Sequence, residues 1–256
     1  MAVELALNKS NRLKLARAFQ PNKRVDYAID CVVEGQMGQA FADDLSQPAA
    51  FGIVVGPFCY FAGDVHSPDA QTLIQDLLAD RLLMPSLPEW IESAQKVFQN
   101  RLESFPRYSF SPEQLSETHL ASLFNNFPHH DRIVPLDAAL TTQITAEPEN
   151  YLEIEAFDSP EDFADRGLGF AALDGEQVMG VAYSSLVCSR GIEVSIFVKE
   201  RYRERGVATA LASRLLLACH HQGMRPNWDA ANPESCKLAL KLGFVFVESY
   251  EAYYVA

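Results

Sequence analysis

A chain of 256 residues, 48% of them hydrophobic, holds enough apolar material for one large core or two modest ones. Its formal net charge of −13 argues against binding along a phosphate backbone, so no nucleic-acid partner is expected; the acidity serves solubility first and the attraction of cations, amines among them, second. No run is long and apolar enough for a bilayer, residues 1–14 carry no leader pattern, and the five scattered cysteines form no C-x-x-C pair, which together predict a cytoplasmic protein with reduced thiols, no membrane partner and no metal site.

The first half reads as short strands followed by helices. Residues 28–34 are apolar with β-branched side chains and stop at Gly35, a strand pattern. Residues 49–55 and 58–62 are apolar runs separated by Gly56-Pro57, which predicts a hairpin. Asp69 can cap a helix with Leu73, Ile74, Leu77 and Leu78 on one face. A second helix starts near Glu89, with Trp90, Ala94 and Phe98 in helical spacing. From Phe105 to Pro135 four prolines punctuate the chain, so this stretch is expected to connect two units, with one short helix at 113–124. The expected domains are residues 1–125 and 126–256.

The second half is more regular. Helices are predicted over 136–144 and 160–166, then strands over 169–173 and 178–188 with a turn at Asp174-Gly175. Residues 192–198 alternate: Ile192, Val194, Ile196 and Val198 face one side, Glu193, Ser195 and Phe197 the other. A charged turn leads through Gly206 into a long helix from Val207 to His221, ended by Gly223. A strand over 226–230 follows, then a helix with Asn232 as cap and Pro233 in its first position. Gly243 ends that helix, and residues 244–255 return as one or two strands.

The segment from Val198 to Thr209 concentrates the chemistry. A strand ends, a basic turn follows and a helix opens at once. Helix starts present unpaired N–H groups and a partial positive charge, so a diphosphate placed there can accept several backbone hydrogen bonds. Gly206 lets a ligand approach the backbone, and Arg203 and Arg205 add charge at the mouth. By itself this pattern also fits an exposed loop whose arginines pair with Glu200 and Glu204.

Arg203-x-x-Gly206-x-Ala208 after an alternating strand resembles the acyl-CoA motif of the GNAT acetyltransferase superfamily. Asn232-Pro233-Glu234-Ser235 with Leu242-Gly243-Phe244 resembles its second motif, in the right order. The segments Phe61-Ala62-Gly63-Asp64, Arg107-Tyr108-Ser109-Phe110 and Asn227-Trp228-Asp229 fit the two-part bacterial GNAT acetyltransferase family, most strongly over residues 169–244. The resemblance implies an α/β (α+β) protein. Its C-terminal half would be a GNAT fold with a mixed, mostly antiparallel sheet flanked by helices, preceded by a smaller α/β domain that shapes the acceptor pocket or a dimer.

The same resemblance implies acetyl-CoA as co-substrate and a small-molecule amine as acceptor, joined by direct attack. Its diphosphate would lie on the amides of Arg205, Gly206, Val207, Ala208 and Thr209, with Arg203 opening the motif. The pantetheine arm would pair with the main chain of Ile196, Phe197 and Val198, and contact Asn232 and Ser235. Glu193 would be the base that takes the proton from the acceptor ammonium; its plainer role is a strand glutamate paired with a neighbour. Asn232 also serves as a helix cap. Where many relatives carry a tyrosine that protonates the thiolate, this chain has Ala239, which leaves water, Tyr202, Tyr250, Tyr253 or Cys236. Ala239 and the two turn glutamates motivate an alternative, a non-catalytic acyl-CoA-binding or regulatory module. Self-association as a homodimer is left open. His129-His130 lacks partners at metal-ligand spacing and is expected to be a loop pair, and Trp228 is expected in the core or lining the acceptor pocket.

Overall fold

In the computed structural model, which describes residues 2–256, the chain divides at Arg107/Tyr108. Everything before that point, together with Ser249–Ala256, forms the first unit; Tyr108–Glu248 forms the second. Among the described residues no helix is long and apolar enough to cross a membrane.

The first unit runs β1 (Val3–Glu4), α1 (Lys9–Ala18), α2 (Ala28–Glu34), β2 (Gln39–Ala42), β3 (Ala50–Val55), β4 (Phe58–Gly63), α3 (Ala70–Leu78), β5 (Leu82–Leu83), α4 (Pro88–Phe98) and the start of β6 (Leu102–Ser111). Strands β1 to β4 form an antiparallel meander, and β5 adds in parallel to β4. The Gly56-Pro57 hairpin is as the sequence predicts, Val55 pairing with Phe58. Leu73, Ile74, Leu77 and Leu78 of α3 and Trp90, Ala94 and Phe98 of α4 close over it in one core, with the Trp90 and Phe61 rings stacked at 5.4 Å.

Residues 28–34 are a helix, not the strand their β-branched content predicts. Asp26 Oδ1 accepts the Ala28 N–H at 2.9 Å and turns the chain into it. Gly35, at φ +69°, ends it by donating to the carbonyls of Cys31 and Val32. Ala28, Ile29, Cys31 and Val32 are all buried, and that burial outweighs weak local propensity.

The second unit continues with α5 (Glu117–Asn125), β7 (Ile133–Pro135), α6 (Ala138–Thr145), α7 (Pro160–Arg166), β8 (Gly169–Asp174), β9 (Gln177–Cys188), β10 (Gly191–Val198), α8 (Val207–Gln222), β11 (Pro226–Ala230), α9 (Pro233–Leu242) and β12 (Val245–Val255), whose last residues return to the first unit. Its sheet order is β6-β11-β10-β9-β8-β7, antiparallel except where β10 and β11 run parallel. Helix α8 packs on two sides. Leu211, Leu215 and Cys219 meet β8–β10, while Ala212 and Leu216 meet Trp228 of β11 and Ala239 and Leu242 of α9.

The stretch from Phe105 to Pro135 is not simply a connection. Strand β6 runs straight through Pro106, and Tyr108, Ser109 and Phe110 pair with Ala230, Asp229 and Trp228. The units therefore divide inside a strand rather than near residue 125. Leu120 of α5 is buried with Leu216 and Trp228, which ties that helix to the second unit.

One register feature shapes the site. Strand β10 pairs with β9 along its whole length, but with β11 only at Ile192↔Pro226 and Glu193↔Asn227. At the same level its β9 partner jumps from Leu186 to Ser184, so that Ser185 bulges. Beyond Glu193 the edge of β10 is open on the β11 side.

Candidate active site

The open edge of β10 exposes alternate backbone groups. Lys199 N–H bonds to Met179 O at 2.9 Å, toward β9. Groups on an antiparallel strand alternate in direction, so Ile196 and Val198 turn their N–H and C=O to the open side, whereas those of Phe197 face β9. Of the three residues expected to offer their main chain, Phe197 turns its own toward β9 and packs its ring on Tyr151.

After Val198 the chain makes one 3-10 turn, Glu200–Tyr202, and enters α8 through Glu204 at φ +61° and Gly206 at φ +84°. Tyr202 anchors this turn. Its ring is buried, its hydroxyl bonds to Asp174 Oδ2 at 3.2 Å and Gln177 Oε1 at 3.4 Å, and the guanidinium groups of Arg201 and Arg205 lie over its face at 5.1 and 5.8 Å. Gly206 occupies the N-cap position and has no side chain to cap the helix. The first intrahelical bond runs from Ala210 N–H to Gly206 O at 3.0 Å, which leaves the amides of Val207, Ala208 and Thr209 at the mouth as donors.

These parts line one open cleft of about 830 Å³. Ile196, Phe197, Val198, Arg203, Gly206, Val207, Ala208, Thr209, Asn232 and Ser235 all line it. Arg205 does not; its side chain rests on Tyr202. Arg203 Nε donates to Val198 O at 3.2 Å and so braces the turn against the strand end.

Helix α9 forms the opposite wall. Asn232 Oδ1 caps it by accepting Ser235 N–H at 2.8 Å, and Ser235 Oγ accepts the Trp228 indole N–H at 3.1 Å. Glu234, Ser235, Leu238 and Lys241, at helical spacing, face the cleft. Ala239 is fully buried, packed with Ala212, Leu216 and Leu242. Tyr202 has its hydroxyl engaged elsewhere, and Tyr250 and Tyr253 belong to the first unit.

Glu193 is 8% exposed and is not among the residues that line the cleft. Its Oε2 accepts from Asn227 Nδ2 at 2.8 Å. It sits on the face of β10 that carries Ser195 and Phe197, away from α8. Along that face a strap runs over the strand. Lys199 Nζ meets Glu149 at 3.5 Å, the Phe197 ring meets Tyr151 at 4.4 Å, and Tyr183, opposite Ser195, accepts the Glu153 N–H at 3.1 Å. Burial pushes the Tyr183 phenol up to about 12.

Lys241, Asp229 and Tyr151 are cleft or strap residues beyond those that the motifs name. Lys241 follows Leu238 at helical spacing, a signal that was present. Asp229, which also lines the cleft, alternates with Trp228 on β11 and was equally legible. Tyr151, at φ +47°, gives no local signal, because only the fold brings it to Phe197. His129 and His130 pack around Phe127, the first edge-on to its ring and the second through Nδ1 to its carbonyl.

A strand with an open edge that runs into an uncapped helix start is the arrangement the motifs anticipate; comparison with known proteins bears on the family. The family model described as GNAT acetyltransferase matches residues 20–253. The "Uncharacterized N-acetyltransferase YdfB" of Bacillus subtilis (strain 168) is 28% identical, with 99% of each chain covered. A GCN5-related N-acetyltransferase-like protein from Streptococcus suis 89/1591 superposes with a TM-score of 0.84 at 28% identity, over 96% of this chain and 99% of that one. A GCN5-related N-acetyltransferase from Sphaerobacter thermophilus shares the fold, with a TM-score of 0.57 at 13% identity over 99% and 94% of the two chains. The chain belongs to the GNAT acetyltransferase family.

Proposed function

We propose that the protein moves the acetyl group of acetyl-CoA to a primary amine of a small molecule by direct attack, in the cytoplasm. The observation that carries this reading is the continuity of two backbone features in one cleft: the N–H groups of Ile196 and Val198 on the open strand edge, and open helix-start amides at Val207, Ala208 and Thr209. The second suits a diphosphate and the first an extended amide-bearing arm, and the cleft of about 830 Å³ has room for both.

Bound acetyl-CoA would supply the thioester. Val198 N–H, turned to the open side, donates to the acyl oxygen as negative charge develops there. Asn232 and Ser235 hold the arm from the opposite wall. Glu193 takes the ammonium proton through water, since its carboxylate stands back from the cleft.

Calorimetric titration with CoA and a thiol-release assay with acetyl-CoA and a broad panel of primary amines test this. Binding together with release for at least one amine is expected. Absence of both rejects the proposal. Tight binding without release across the panel favours a non-catalytic acyl-CoA module, the alternative motivated by Ala239.

A further inference from the structure

We infer that Lys241 is a phosphate-binding residue of the cleft, its ammonium placed on the diphosphate that the first turn of α8 holds; the inference rests on the acetyl-CoA reading above. Lys241 Nζ donates to Thr209 Oγ1 at 3.2 Å. Thr209 is the third residue of α8, 9% exposed, and its amide is one of the open donors. A lysine from another helix is thus fixed at the positive end of the α8 dipole, where a cation is disfavoured. Among the described residues Nζ forms no ion pair within 4.0 Å, and Thr209 Oγ1 is its one hydrogen-bond partner. Two sources of positive potential that meet at Thr209 make a seat for an anion.

The chemistry of the contact fits. An ammonium has three donors, of which one is used here. Thr209 Oγ1 accepts from the lysine, so its own O–H is free to donate to the same anion. The charge balance of the cleft also calls for this residue. Glu204, Asp229 and Glu234 line it against only two side-chain cations, Arg203 and Lys241. Arg203 already spends its Nε on Val198 O. Lys241 is therefore the cation best placed to offset those carboxylates toward a polyanion.

The test is calorimetric titration of wild type, Lys241→Met and Lys241→Arg with CoA and with 3′-dephospho-CoA, at low and high salt. Position 241 is exposed and methionine keeps both the stem and the helix propensity, so the fold is retained, which circular dichroism verifies. Lys241→Met is expected to weaken both ligands by about tenfold at low salt and less at high salt, and Lys241→Arg to recover most of the loss. Equal affinity of Lys241→Met and wild type overturns the inference while leaving the acetyl-CoA reading intact. A loss seen with CoA but not with dephospho-CoA also overturns it, by moving the ammonium to the 3′-phosphate. Wild type that binds neither ligand removes the acetyl-CoA reading and this inference together.

Discussion

Asn227 Nδ2 donates to Glu193 Oε2 across 2.8 Å on the last rung at which β10 and β11 still pair. One residue further on, the strands have parted and the cleft begins. The pair therefore stands at the fork, with the carboxylate held in a fixed orientation by a neutral donor. That fits a proton acceptor reached through water better than a group in contact with the reacting carbon.

Glu193→Gln keeps the shape and one acceptor oxygen but cannot take a proton. Acetyl transfer should fall by about a hundredfold or more in kcat, with CoA affinity by calorimetry unchanged. Asp229→Asn is the comparison, because Asp229 does line the cleft. If that variant loses turnover while Glu193→Gln keeps it, the base is on β11.

Gly206 sits at φ +84°, and a β-carbon added there would meet only a Phe127 ring carbon at 3.7 Å. Space is therefore not the obstacle; backbone conformation is. Gly206→Ala should lower stability by about 1–2 kcal/mol through the left-handed penalty, seen as a fall of a few degrees in Tm. It should weaken CoA binding as well, because relief of the strain rotates the amides at the start of α8. A variant with lowered Tm and unchanged CoA affinity would separate the turn from the ligand.

Alkaline stability has a definite sign. Burial raises the Tyr183 phenol from its ordinary 10 to about 12 and the Cys219 thiol from 9 to about 12, and it raises the Cys59 thiol too. Each group loses its proton earlier in the unfolded chain than in the folded one. The stability they contribute is intact well below pH 9, declines as pH passes the unfolded values of 9 and 10, and for Tyr183 and Cys219 is lost as pH passes about 12. Melting curves between pH 8 and 12 should show this decline. Tyr183→Phe should start lower, having lost the bond from Glu153 N–H, yet fall less steeply above pH 10. An equal slope would mean that Tyr183 does not carry the effect.

Local chemistry was enough to place much of this architecture. Gly56-Pro57 between apolar runs can hardly be anything but a turn, and Asn232-Pro233 before a helical pattern supplies both cap and first residue. Gly206 and Gly223 bracket α8 because each takes a left-handed conformation at its end. The amides at the start of α8 are legible for the same reason: a helix start leaves them open whatever surrounds it.

Sequence determined what depends on neighbours in the chain, namely helix ends, turns, alternation and the motif whose backbone would grip a ligand. Tertiary structure alone decided what depends on partners distant in the chain. Burial turned residues 28–34 into a helix, and pairing with β11 continued β6 beyond Pro106. Tyr202 drew Arg205 out of the cleft, Asn227 claimed Glu193, and the strap brought Tyr151 to Phe197. Lys241 acquired its place only when α9 packed beside the first turn of α8. A side chain's direction is set by the lowest-energy contact available to it, and for Glu193, Phe197 and Lys241 that contact lies tens of positions away in the sequence.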